Sequence, residues 1–152
     1  MNTVYDALAA QLKGLFLGER NKVANLANAS AAIFHALSDV NWAGFYLAEN
    51  RELVLGCFQG NVACIRIPFG RGVCGTAAET NTTQLVADVS EFKGHIACDA
   101  RSRSEIVVPL HNSSGEVVGV LDIDSAKLER FTDEDKTGLE SIAKIIESAI
   151  DW

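Results

Sequence analysis

Ile106-Val-Val-Pro-Leu-His111, the turn Asn112-Ser-Ser-Gly115, and Val117-Val-Gly-Val-Leu-Asp-Ile-Asp124 together decide the fold. Two apolar runs of strand length flank a polar, glycine-containing turn, which is the pattern of an antiparallel hairpin. Alternation in the second run sets Asp122 and Asp124 on one face with Val118 and Val120, their side chains about 7 Å apart. In such a hairpin the start of the first strand lies level with the end of the second, so Glu105 converges on both aspartates. Three crowded acids repel; at least one should keep a proton near neutrality, and the group suits an ammonium ion. Two other readings stand beside this one: an exposed strand end, or a Ca²⁺ or Mg²⁺ site, for which the sequence lacks the usual loop of regularly spaced oxygen ligands.

Upstream of the hairpin, Asp88 to Ser104 has no period and is polar and charged, as a lid or binding loop would be. Cys98 sits in it with His95, Arg101 and Arg103 nearby, cations of the kind that lower a thiol pKa, while Asp99 and Glu105 oppose them. It is either a reactive thiol or a half-buried loop cysteine without a role. Leu85 to Ala87 makes a short strand. Gly70-Arg-Gly72 feeds a short helix from Val73 or Cys74 to about Thr80, whose free N–H groups could hold a small anion such as a carboxylate. Val62 to Pro68 is an extended segment carrying Cys64.

Asn41 to Ala48 and Glu52 to Gln59 form a second hairpin around Glu49-Asn50-Arg51. Trp42, Gly44 and Tyr46 share one face, so two rings flank a position with no side chain. That is either plain aromatic core or a hollow where a ligand or another backbone approaches. Cys57, between Leu55 and Phe58, reads as a small core hydrophobe with no chemistry.

Helical spacing predicts helices from Val4 to about Leu17 and from Asn21 to Leu37, the second with a stripe of Val23, Leu26, Ala27, Ser30, Ile33, Phe34 and Leu37. His35 lies beside that stripe as helix surface. A final helix starts at Thr132 as N-cap, with Asp133, Glu134 and Asp135 in its first turn and Leu139, Ile142, Ala143, Ile146 and Ile150 on its apolar face. With 152 residues and 48% hydrophobic composition, the chain has the size of one domain, residues 1–152. The expected class is α+β: a central, mainly antiparallel sheet with N-terminal and C-terminal helices packed on it. A net charge of -7 works against nucleic acid or an anionic membrane as partner. No apolar run approaches the roughly 18 residues of a membrane span, and a cytoplasmic location is expected. There the four cysteines start as thiols, and a disulfide among them would be transient rather than structural.

Cys64, Gly72-Val-Cys74-Gly75, Asp88-Val89, His95-Ile-Ala-Cys98-Asp99, Ser104-Glu105-Ile-Val-Val-Pro109 and Gly119-Val-Leu-Asp122-Ile-Asp124-Ser125 closely resemble the free methionine-(R)-sulfoxide reductases, single-domain enzymes of GAF fold. The resemblance runs from the N-terminal helices through Trp42-x-Gly-x-Tyr46 to Phe131-Thr132. It implies Cys98 as catalytic cysteine, Cys64 as the resolving one and Cys74 as a third cysteine, an alternative disulfide partner. It makes Trp42 and Tyr46 pocket aromatics and Glu105, Asp122 and Asp124 the substrate-binding acids, with Glu105 and Asp124 also serving catalysis.

The implied chemistry agrees with the residues. A Cys98 thiolate attacks the sulfoxide sulfur while an acid protonates or hydrogen-bonds the oxygen, methionine leaves, and the resulting sulfenic acid condenses with Cys64. Thioredoxin would then reduce the disulfide. No cofactor or metal is implied, and a homodimer is expected. The competing readings are a non-catalytic GAF module that binds a small ligand or senses redox state, and a metal site built from His95, Cys98 and another cysteine, which lacks paired ligand spacing.

Overall fold

The computed structural model describes residues 3–152. Its elements are α1 (Val4–Phe16), α2 (Lys22–Ala36), β1 (Trp42–Glu49), β2 (Glu52–Gly60), β3 (Arg66–Pro68), α3 (Gly72–Thr80), β4 (Gln84–Val86), β5 (Ser104–His111), β6 (Val117–Ser125) and α4 (Asp133–Ser148), with a single 3-10 turn at Val89–Glu91. The strands form one six-stranded sheet in the order β3-β2-β1-β6-β5-β4. Every neighbouring pair is antiparallel. The α+β class and both hairpins are therefore as expected.

Alternation splits the central strands between two cores. Ala43, Phe45, Ile106, Val108, Leu110, Leu121 and Ile123 face α1, α2 and α4, where they meet Leu8, Leu12, Leu26, Ile33, Leu139 and Ile146. Trp42, Tyr46, Val107 and Val120 face the other way, toward α3 and Cys74. The sheet is thus covered on both sides, and β5 is buried along almost its whole length. Any polar residue on the α3 side of β5 or β6 is accordingly forced into a dry environment.

Thr132 and Asp135 close a reciprocal capping box at α4, and Thr3 and Asp6 do the same at α1. The α2 stripe differs from expectation in its first half, where Val23 and Ala27 are exposed and Asn25 and Ala29 are buried in their place. The Asn25 amide reaches the carbonyls of Glu19, in the link between α1 and α2, and of Ala149, the C-cap of α4, acceptors that an apolar side chain could not satisfy. His35 is exposed, as expected for helix surface. Cys57 is half-buried beneath α2, its thiol 3.7 Å from the Val23 carbonyl.

The predicted hollow at Gly44 is filled. A Cβ there would lie 2.3 Å from the Phe58 Cβ and 2.8 Å from the Cys57 carbonyl oxygen, so the missing side chain admits β2 rather than a ligand. The β1–β2 register slips between Gly44 and Tyr46 at this close approach. The Phe58 ring stacks on Trp42 with centroids 5.1 Å apart.

Candidate active site

The α3 face of β1, β5 and β6 forms the floor of a pocket. Trp42 and Tyr46 rise from β1, Glu105 from β5, and Asp122 and Asp124 from β6; the loop 95–102 and the start of α3 complete the wall. The register pairs Glu105 directly with Asp124 and Val107 with Asp122, bringing the three acids together as the hairpin argument required. All three are more than nine-tenths buried.

Burial pushes the Asp122 and Asp124 carboxyls well above the ordinary carboxylate range, and the negative charge of the neighbouring acids pushes in the same direction. Asp122 Oδ1 and Asp124 Oδ1 are buried with no hydrogen-bond partner among the described residues. Two unsatisfied buried acceptors in an acid cluster can accept from a cationic donor such as an ammonium group. The buried Cys74 thiol donates to Glu105 Oε2 at 3.8 Å and is itself pushed up, first by burial and then by the Asp122 charge. Donor atoms of Cys74, Glu105 and Asp122 lie within 4.8 Å of one another, near enough to share a small cation. Three ligands fall short of the six to eight oxygens that Ca²⁺ takes.

Cys98 and Cys64 are joined by a disulfide, their Cα atoms 5.3 Å apart. Cys98 lies on the pocket wall with His95 and Asp99. Of the three cations near Cys98 in sequence, only His95 lines the pocket; Arg101 instead pairs with Asp99 at 3.2 Å, and Arg103 is exposed. The expectation that the arginines activate the thiol is thereby corrected: Arg101 holds the Asp99 carboxyl below its usual range.

The loop is secured by a residue with no periodic signal. Asn41, just before β1, directs its amide Nδ2 to Asp99 Oδ2 at 3.3 Å and to Ser102 Oγ at 3.2 Å. Its only sequence mark is adjacency to Trp42. The pocket rings also carry polar contacts: Trp42 Nε1 donates to the Asn61 carbonyl at 3.0 Å and Tyr46 Oη to the Cys64 carbonyl at 2.9 Å. Their rings stack 6.0 Å apart.

At the opposite wall Arg71 is the N-cap of α3 without a side-chain cap bond, so the first N–H groups of that helix have no such partner. Gly72 has φ +63°, and a Cβ on it would press on Ile96 at 3.2 Å. Glycine here lets the Cys98 loop close over the helix start.

A family model for the GAF domain matches residues 23–151. The chain is 52% identical to the free methionine-R-sulfoxide reductase of Escherichia coli, over 96% of this chain and 88% of that protein. It is 49% identical to the Saccharomyces cerevisiae protein of the same name, over 94% of this chain and 83% of that one. The X-ray structure of free methionine-R-sulfoxide reductase from Neisseria meningitidis in complex with its substrate superposes with a TM-score of 0.91 at 46% identity, over 95% of this chain and 87% of that chain.

Proposed function

The chain belongs to the free methionine-(R)-sulfoxide reductases of GAF fold, and from that membership we propose that it reduces free L-methionine (R)-S-oxide to L-methionine through Cys98. The observation that carries the proposal is the Cys64–Cys98 disulfide set beside a pocket of three buried acids. Such a bridge is what a sulfenic acid on Cys98 leaves after a second thiol condenses with it.

In this reading the acid cluster receives the α-ammonium of the substrate, satisfying the unpartnered oxygens of Asp122 and Asp124. The N–H groups at the start of α3 receive the α-carboxylate. Trp42 and Tyr46 pack against the S-methyl group. The Cys98 thiolate attacks the sulfoxide sulfur as a carboxyl proton moves to the oxygen; the raised pKa values of Asp122 and Asp124 keep that proton available. The oxygen passes to Cys98 as a sulfenic acid and methionine departs. Cys64 then displaces water, and a thioredoxin-type dithiol reduces the bridge. We take the chain to be one catalytic domain with no resident cofactor, working in the cytoplasm as a homodimer; among the described residues no helix is long and apolar enough to cross a membrane.

The test is a single turnover without reductant. Reduced protein given each diastereomer of free methionine sulfoxide should yield about one methionine per Cys98 from the R form only. Cys98→Ser should yield none, and methionine from that variant would overturn the reading. Cys64→Ser should complete a first turnover and then stall with thioredoxin.

A further inference from the structure

We infer that Tyr46, seconded by Trp42, is a positioning residue for Cys64, so that the aromatic wall of the pocket also governs closure of the disulfide. The inference rests on the reading of Cys98 as nucleophile and Cys64 as its resolving partner.

Residues 61–65, between β2 and β3, belong to no helix or strand. Val62 and Ile65 are 87% and 68% exposed, while Ala63 and Cys64 are half-buried against the second core. Beside that packing and the bridge itself, backbone carbonyls tie the segment down. Asn61 accepts from Trp42 Nε1, Cys64 from Tyr46 Oη, and Ile65 from the Leu55 backbone N–H at 2.9 Å. Two of these three donors are the polar ends of the β1 rings.

The rings themselves have little freedom. Trp42 and Tyr46 are 2% and 1% exposed and stacked on one another, and Phe58 also stacks on Trp42. Burial, with the charge of Asp122 next, raises the Tyr46 pKa, so the hydroxyl keeps the proton it donates. A bond from a fixed ring to the Cys64 carbonyl fixes the Cys64 backbone. The Cα separation from Cys98 of 5.3 Å lies within the range a disulfide spans without backbone movement.

The step that depends on this is Cys98–SOH + Cys64–SH → Cys98–S–S–Cys64 + H₂O. The Cys64 sulfur attacks the sulfenic sulfur, the S–O bond breaks, and the hydroxyl leaves as water with the proton given up by Cys64. Its rate follows the fraction of time Cys64 spends within reach. The neutral pair of rings found here as a binding wall would therefore act twice per cycle, once on substrate and once on the resolving segment.

Tyr46→Phe and Trp42→Phe each retain a ring and delete the donor. Reduced protein is given free methionine-(R)-sulfoxide with a fixed concentration of dimedone and no reductant, and mass spectrometry reads Cys98 as dimedone adduct or as disulfide. Both products branch from the same sulfenic acid, so their ratio does not depend on how well substrate binds or how fast the first step runs. Cys64→Ser sets the ceiling of trapping. Tyr46→Phe should raise the adduct-to-disulfide ratio roughly three- to tenfold over wild type, as loss of one hydrogen bond would. Trp42→Phe should act in the same direction, and the double variant should exceed either. A wild-type ratio in Tyr46→Phe overturns the inference. Absence of methionine from the wild-type protein overturns the functional reading instead, which keeps the two failures apart.

Discussion

Glu105 and Asp124 are register partners across β5 and β6, with Asp122 two residues away on the same buried face. Each acid therefore meets the others in a buried setting with little room for water. A folded chain holds protons on Asp122 and Asp124 that an unfolded chain releases near its ordinary carboxylate values.

The sign of the resulting pH dependence follows. A raised folded pKa contributes stability that is present below the ordinary carboxylate range and is lost as pH rises through the folded value. Asp122→Asn removes one of the ionising groups, so it should melt above wild type at about pH 8, with the gap closing toward about pH 4. A gain of a few degrees would correspond to about 1 kcal/mol in a chain of this size. Thermal melts across that range check it, and a gap that does not change with pH would contradict it.

Under the proposed function the acids also set which form of methionine sulfoxide is accepted. N-acetylation removes the ammonium charge and leaves the buried oxygens of Asp122 and Asp124 without a cationic partner. Steady-state kinetics with N-acetyl-methionine-(R)-sulfoxide should show kcat/KM at least about a hundredfold below that for the free amino acid. Comparable values would remove the acids from substrate recognition.

Gly44 is a packing requirement. An alanine there drives its Cβ into the Phe58 side chain and the β2 backbone at 2.3 and 2.7 Å. Gly44→Ala should destabilise the protein by roughly 1–3 kcal/mol in urea unfolding, the usual cost of forcing atoms into a filled site. Because Phe58 stacks on Trp42, the variant should lose activity as well. Wild-type stability would show that β2 can yield.

Cys57 lies on the helical side of the sheet, away from the pocket. Cys57→Ser should leave steady-state turnover within about twofold of wild type, as for most substitutions remote from a site. A larger loss in turnover would place a fourth thiol in the redox cycle.

The legible parts of this chain were those written as periodic patterns. Alternation along Val117 to Asp124, with the polar turn before it, is enough to bring Glu105 to the aspartates, and the structure pairs it with Asp124. The capping signal at Thr132 marks the start of α4. What alternation cannot carry is contact between strands distant in the chain. It leaves Gly44 as an apparent gap because Phe58, which fills that space, enters from β2 through a register slip. Closeness in sequence likewise makes Arg101 a neighbour of Cys98, whereas the guanidinium turns to Asp99. Asn41 leaves no trace because its partners, Asp99 and Ser102, lie 58 and 61 residues downstream in a loop without period.

With the Cys64–Cys98 bridge closed, the pocket retains about 30 Å³ of free volume, room for a water or two. An amino acid the size of methionine sulfoxide does not fit beside it. In the proposed cycle, substrate and oxidised cysteine pair would then exclude one another: methionine leaves before the bridge forms, and the bridge is opened before the next molecule enters. The two reactants take turns on one protein, and double-reciprocal plots at several donor concentrations should run parallel, as for ping-pong turnover.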